Sequence, residues 1–160
     1  MGVHDLERRY RRRELKGPTM TDYFLKIDGI SGASRARGFE GWFDLLGYHW
    51  EMDGSGNASI AGLPLVVQTM SLGGLPAVEK KAAAGSRLDR VELQAVTSNN
   101  NPGWYFKVVL AGALVTTSTL TGTDLTTTWS LGDYSRADVS GRSRDARGAW
   151  GPATTASWVR

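Results

Sequence analysis

Phe39-Glu40-Gly41-Trp42-Phe43-Asp44-Leu45-Leu46-Gly47-Tyr48-His49-Trp50 is the densest aromatic run in the chain. Gly41 and Gly47 interrupt any helical reading, and aromatic side chains favour strands. Successive strand residues point to opposite faces. Alternation therefore puts Trp42, Asp44, Leu46, Tyr48 and Trp50 on one heavy face. Phe43, Leu45, Gly47 and His49 fall on a face that lightens toward its end. The reading is a central strand over Trp42–Trp50, with Trp42, Leu46, Tyr48 and Trp50 holding a core. A polar, glycine-rich loop follows, beginning Asp53-Gly54-Ser55-Gly56-Asn57.

Composition agrees with a β protein. The chain has 160 residues, 20 glycines, six tryptophans and no cysteine. That length suits one domain. Without cysteine there is no disulfide framework, thiolate metal site or thiol nucleophile. No apolar run approaches the ~20 residues of a membrane helix, and no cleavable signal pattern is present. The net charge of +3 comes from the start of the chain. Residues 1–19 carry six Lys/Arg against three acids, so residues 20–160 hold thirteen of each sign. A neutral body does not support nucleic-acid binding across the whole surface. Residues 1–19 read as a basic extension, either a disordered tail or a start placed too early. Gly17-Pro18 breaks the chain before Met20, where the domain (20–160) begins.

Outward from the central run, Thr21–Asp28 alternates as a first strand, with Tyr23, Leu25 and Ile27 on one face. Leu63–Met70 reads as a third. Pro76 suits the start of a helix, Ala77–Ala84 is rich in helix formers, and Gly85 suits its end. The helix (about 75–84) buries a narrow stripe of Leu75, Val78 and Ala82. Strands follow at Arg87–Val96, Trp104–Leu110, Leu114–Leu120, Leu125–Leu131, Tyr134–Val139 and Ala149–Val159, with Gly112 as a bend. Eight to ten short strands and one helix imply a small β-barrel or sandwich.

Catalytic chemistry is sparse. His4 and His49 are the only histidines, and no Gly-x-Ser-x-Gly elbow accompanies either. A hydrolase using His49 is therefore a weak reading. Asp44 and Glu51 lie on opposite faces of a regular strand, which suits ordinary polar roles better than paired acid–base work. The glycine-rich loop lacks a P-loop lysine and EF-hand carboxylate spacing. The tryptophans leave a carbohydrate- or ligand-binding β-sandwich as the alternative.

Four ordered pieces carry a resemblance: Tyr23–Gly32, Gly41–Trp50, Tyr105–Gly122 and Gly148–Trp158. Together they resemble the haemolysin-coregulated protein (Hcp) family, the tube proteins of type VI secretion, from about Met20 to Arg160. The resemblance implies a compact two-sheet β-barrel with one flanking helix, related to phage tail tubes. It implies homohexameric rings that stack inside a contractile sheath and carry small effector proteins in the lumen. Sheath and spike proteins of the apparatus would be the further partners. It implies no catalysis, no cofactor, no nucleic acid and no membrane insertion. The subunit would assemble in the cytoplasm and be secreted without a cleaved signal. His49, between Tyr48 and Trp50, would face the lumen. Asp53, Gly54, Ser55, Gly56 and Asn57 would touch the next ring. Residues 1–19 have no counterpart in the family. Leu72-Gly-Gly-Leu-Pro76 departs from its more polar approach to the helix.

Overall fold

The computed structural model describes residues 21–51, 63–70, 72–97, 102–123 and 125–159. The basic extension and the Asp53–Asn57 loop lie outside the described residues. The strands are β1 (Thr21–Ile27), β2 (Phe43–His49), β3 (Leu65–Thr69), β4 (Leu88–Thr97), β5 (Gly103–Thr121), β6 (Thr126–Gly132), β7 (Arg136–Gly141) and β8 (Thr154–Val159). The helix α1 (Leu75–Ala84) lies between β3 and β4.

Neighbouring strands run β4-β1-β2-β3-β6-β5, and β4 also pairs with β5. Six strands thus close into a barrel, which removes the sheet edges that an open sheet would expose. β7 and β8 extend outward from β5. All eight pairings are antiparallel.

β5 is one strand of 19 residues, where two segments separated at Gly112 were expected. Leu114 pairs with Gly132 and Ala111 with Arg136. β6 and β7 are therefore one returning run along a single edge of β5, interrupted at Asp133–Ser135. Gly112 (φ 66) faces that interruption, where Asp133 (φ 49) also takes a left-handed backbone. Such angles are costly for most residues and open to glycine. Arg87 fastens the kink, donating from Nη1 to the carbonyls of Gly112 (2.7 Å) and Asp133 (2.6 Å).

The alternation expected along the central run changes phase in the middle. β2 pairs Leu45 with Thr69, then Gly47 with Gln68, so Leu46 is an extra residue on β2. A bulge of this kind moves later side chains to the other parity. Phe43 and Leu45 are fully buried in the main core, whereas after the bulge Tyr48 and Trp50 pack against it. Trp42 joins a separate small cluster with Phe24, Phe39 and Val96. Core duty therefore passes from odd to even residues at the bulge, where Leu46 is itself buried, and of the expected residues Trp42 takes no part in the main core. The Thr69 hydroxyl donates to the Asp44 carbonyl (2.5 Å) beside the bulge.

Leu25, Val67, Leu93, Leu110, Trp129 and Leu131 fill the barrel and are fully buried. Each large apolar side chain so buried contributes roughly 1.5–3 kcal/mol. Phe43 meets Trp129 edge-on, with ring centres 5.1 Å apart. Outside the barrel, Phe24 stacks on Phe39 (4.2 Å). In α1, Val78 is buried, with Leu75 and Ala82 against the core. Gly85 ends the helix at φ 63. The last strand is shorter than its sequence suggests. Trp150 lies outside it, bridged to Arg144, and β8 begins only at Thr154.

Candidate functional site

Two sheet faces look away from the barrel interior, and their chemistry differs. The first is built by β2, β3, β6 and β5. Opposed residues of antiparallel strands share a face. His49 opposes Val66, Val66 opposes Ser130, and Ser130 opposes Thr117. In the next row Gly47 opposes Gln68, Gln68 opposes Thr128, and Thr128 opposes Thr119. All eight are exposed or half-buried. These eight described residues carry hydroxyl and amide groups, one valine, one glycine and His49, and none of the eight is an acid, lysine or arginine. A shallow hollow of about 320 Å³ runs over Gly47, His49, Val66, Gln68 and Thr128. A Cβ placed on Gly47 would meet nothing within 4 Å.

The second face is built by β1, β4, β5, β7 and β8. Lys26 opposes Glu92, Glu92 opposes Val109, Val109 opposes Asp138, and Asp138 opposes Ser157. Arg90 pairs with Glu92 (2.8 Å) and Arg136 with Asp138 (3.1 Å). Gln94 donates to the second Glu92 oxygen. The hydrogen bond from Arg136, and then that from Ser157, hold the Asp138 carboxyl below the usual carboxylate range.

His49 is the one residue proposed for the site from sequence that is described, and it stands at the edge of the uncharged face. Its imidazole is 3.6 Å from Glu51, with both side chains about two-thirds exposed (68% and 64%). Asp44, by contrast, is buried. Behind the face, Tyr48 packs edge-on to Tyr23 (5.2 Å) and stacks on Phe106 (5.8 Å). Burial, then the neighbouring Tyr105 and Tyr23 hydroxyls, push the Tyr48 phenol up to about 12. Among the described residues no three His, Asp or Glu side chains gather as a metal site, and no helix is long and apolar enough to cross a membrane.

The tryptophans have packing duties. Trp129 is in the core, Trp158 packs against it, and Trp50 lies on Tyr134 (6.1 Å). Trp42 lies edge-on to Phe39 (5.0 Å). Lys107 and Arg142 lie over the Trp104 ring at 4.2 and 4.3 Å. Arg142 and Arg144 lie over Trp150 at 4.5 and 5.0 Å. Cations held over indole faces are attracted by the ring quadrupole. Those surfaces are engaged by the chain itself, which weakens the case for stacked sugars or bases.

The resemblance singled out His49 on this face, but not Gly47, Val66, Gln68, Thr117, Thr119, Thr128 or Ser130. A signal existed in the alternation of Leu65–Thr69 and in the charge-free run Val115–Gly122. Only the register joins them.

The family model described as "Type VI secretion system effector, Hcp" matches residues 24–140, and the chain belongs to that family. No curated protein is matched by the sequence. Solved structures share the fold. Hcp1 from Salmonella typhimurium aligns with a TM-score of 0.72 and 20% identity, over 88% of this chain and 95% of that one. A type VI secretion system effector from Yersinia pestis gives 0.71 and 15% identity, over 87% and 100%. Hcp3 from Pseudomonas aeruginosa gives 0.62 and 16% identity, over 87% and 98%.

Proposed function

We propose that this chain is a structural subunit of the type VI secretion inner tube, closing into homohexameric rings that stack and carry small effector proteins. Membership of the Hcp family across residues 24–140 carries this reading. The closed barrel supports it, since a wall subunit needs rigidity more than a catalytic constellation. A ring is a head-to-tail assembly that closes only when the rotation between neighbours does. In this reading His49 and its face line the lumen, and Asp53–Asn57 contact the next ring. Sheath and spike proteins are the outer partners. The subunit assembles in the cytoplasm and is secreted without a cleaved signal. The barrel itself performs no catalysis, and residues 1–19 are an extension that its folding does not need.

Size-exclusion chromatography with light scattering tests the assembly. Six-subunit particles are expected, and a monomer at every concentration would overturn the reading. Deleting residues 1–19 should leave the melting temperature unchanged. His49→Trp should keep the ring while narrowing its channel, so loss of the hexamer in that variant would argue against a lumen-facing position.

A further inference from the structure

The inference that follows rests on the lumen-facing position proposed for His49. If His49 faces the channel, strand register brings Val66, Ser130 and Thr117 with it, and Gly47, Gln68, Thr128 and Thr119 beside them. We infer that this wall holds small folded proteins through exchangeable hydrogen bonds to its hydroxyl and amide groups, and does not select them by net charge.

Hydroxyls both donate and accept, and they rotate to suit the partner; the Gln68 amide also does both. Each hydrogen bond exchanged for one to water contributes little net. Grip is then a sum of weak, interchangeable contacts, which allows capture without a fixed recognition sequence and permits release. Fixed charges would act differently, attracting one class of cargo and repelling the other. The eight described residues have none, and the Glu51 carboxylate stands beside His49 at the edge. The same barrel does carry charge where it is tolerated. Arg90, Glu92, Arg136 and Asp138 lie on the other outward face, in pairs. The contrast within one molecule gives the uncharged face its meaning. At Gly47 the hollow stays open although nothing nearby would obstruct a side chain.

The test uses rings of the full chain and one small folded probe protein, prepared as an acidic and a basic surface variant of equal size. Co-elution is measured at about 0.15 M and about 1 M salt, where the screening length falls from about 8 to 3 Å. Both variants should co-elute to the same extent at both salts. Rings carrying Gln68→Glu and Thr128→Glu should lose the acidic variant and favour the basic one, and high salt should abolish that preference. Ser140→Glu, on the ion-paired face, should change nothing. Preference of wild-type rings for one charge variant, loss of both at high salt, or exclusion of both from intact rings would overturn the inference. Absence of rings by light scattering would instead overturn the tube reading on which it rests.

Discussion

Arg87 holds Asp133 at two points: its guanidinium donates to the Asp133 carbonyl at 2.6 Å and to the Asp133 carboxylate at 2.7 Å. The same group reaches the Gly112 carbonyl. One side chain thus spans both strands of the kinked run, at the point where each departs from strand geometry. Arg87→Ala should cost about 1–2 kcal/mol in urea unfolding, below the sum of three charge-assisted bonds because the group is half exposed. Arg87→Lys should recover little of this, since an ammonium lacks the planar fork that meets three acceptors. Full recovery by lysine would show that charge alone matters there.

Gly112→Ala tests the backbone at that kink. The left-handed angle costs a Cβ-bearing residue roughly 1–2 kcal/mol, and the new Cβ would sit 3.1 Å from the Ser135 hydroxyl. A lower melting temperature is expected. Gly47→Ala meets open space and should leave the melting temperature unchanged or slightly raised.

Trp129 is fully buried, yet among the described residues its indole N–H finds no hydrogen-bond partner. Trp129→Ala should cost about 3–5 kcal/mol through the cavity it leaves. Trp129→Phe should cost much less than that, because it keeps most of the apolar volume and removes an unsatisfied donor. Equal losses in the two variants, read by chemical denaturation, would contradict this account.

Stability should fall in alkali through Tyr48. Its phenol has an ordinary value of 10.0 and is raised to about 12 in the folded chain. The folded state keeps a proton that the unfolded chain gives up first. The contribution is therefore fully present below pH 10.0 and is lost as pH rises through about 12. Tyr48→Phe should flatten this part of the pH–stability curve. An unchanged alkaline slope would assign the loss to other groups.

Local patterns were legible in the sequence where local physics governs. Leu25 and Ile27 fell on the buried face of β1 as expected, and Val78 on that of α1. Gly85 and Gly112 marked the helix end and the bend. The phase change at Leu46 was hidden, because a bulge is created by the partner strand and leaves no mark in the alternation itself. Trp150 looked like strand material, but cation–aromatic contacts with Arg142 and Arg144 hold it in a loop. Arg87 gave no sign of its role, since its partners lie 25 and 46 residues further on. Of the candidate site, His49 was visible through resemblance. The seven residues beside it became a surface only through pairings that cross four strands.

Closure of the barrel also bears on how fast it forms. β4 and β5 adjoin in sequence, and β5 turns back directly into β6 and β7, so this part assembles from neighbouring segments. β1 must find β4 across much of the chain, with Thr21 opposite Thr97, and β3 must find β6, with Leu65 opposite Leu131. Loop closure is lost entropy before such contacts return anything, so folding slows as their sequence separation grows. Refolding on the scale of milliseconds to seconds is expected, nucleated in the β4–β7 segment and completed by docking of β1–β3. During synthesis β1, β2 and β3 emerge able to pair with one another, while the outer edges of β1 and β3 wait for β4 and β6. Those exposed edges are then the vulnerable intermediate, long before any surface for assembly is complete.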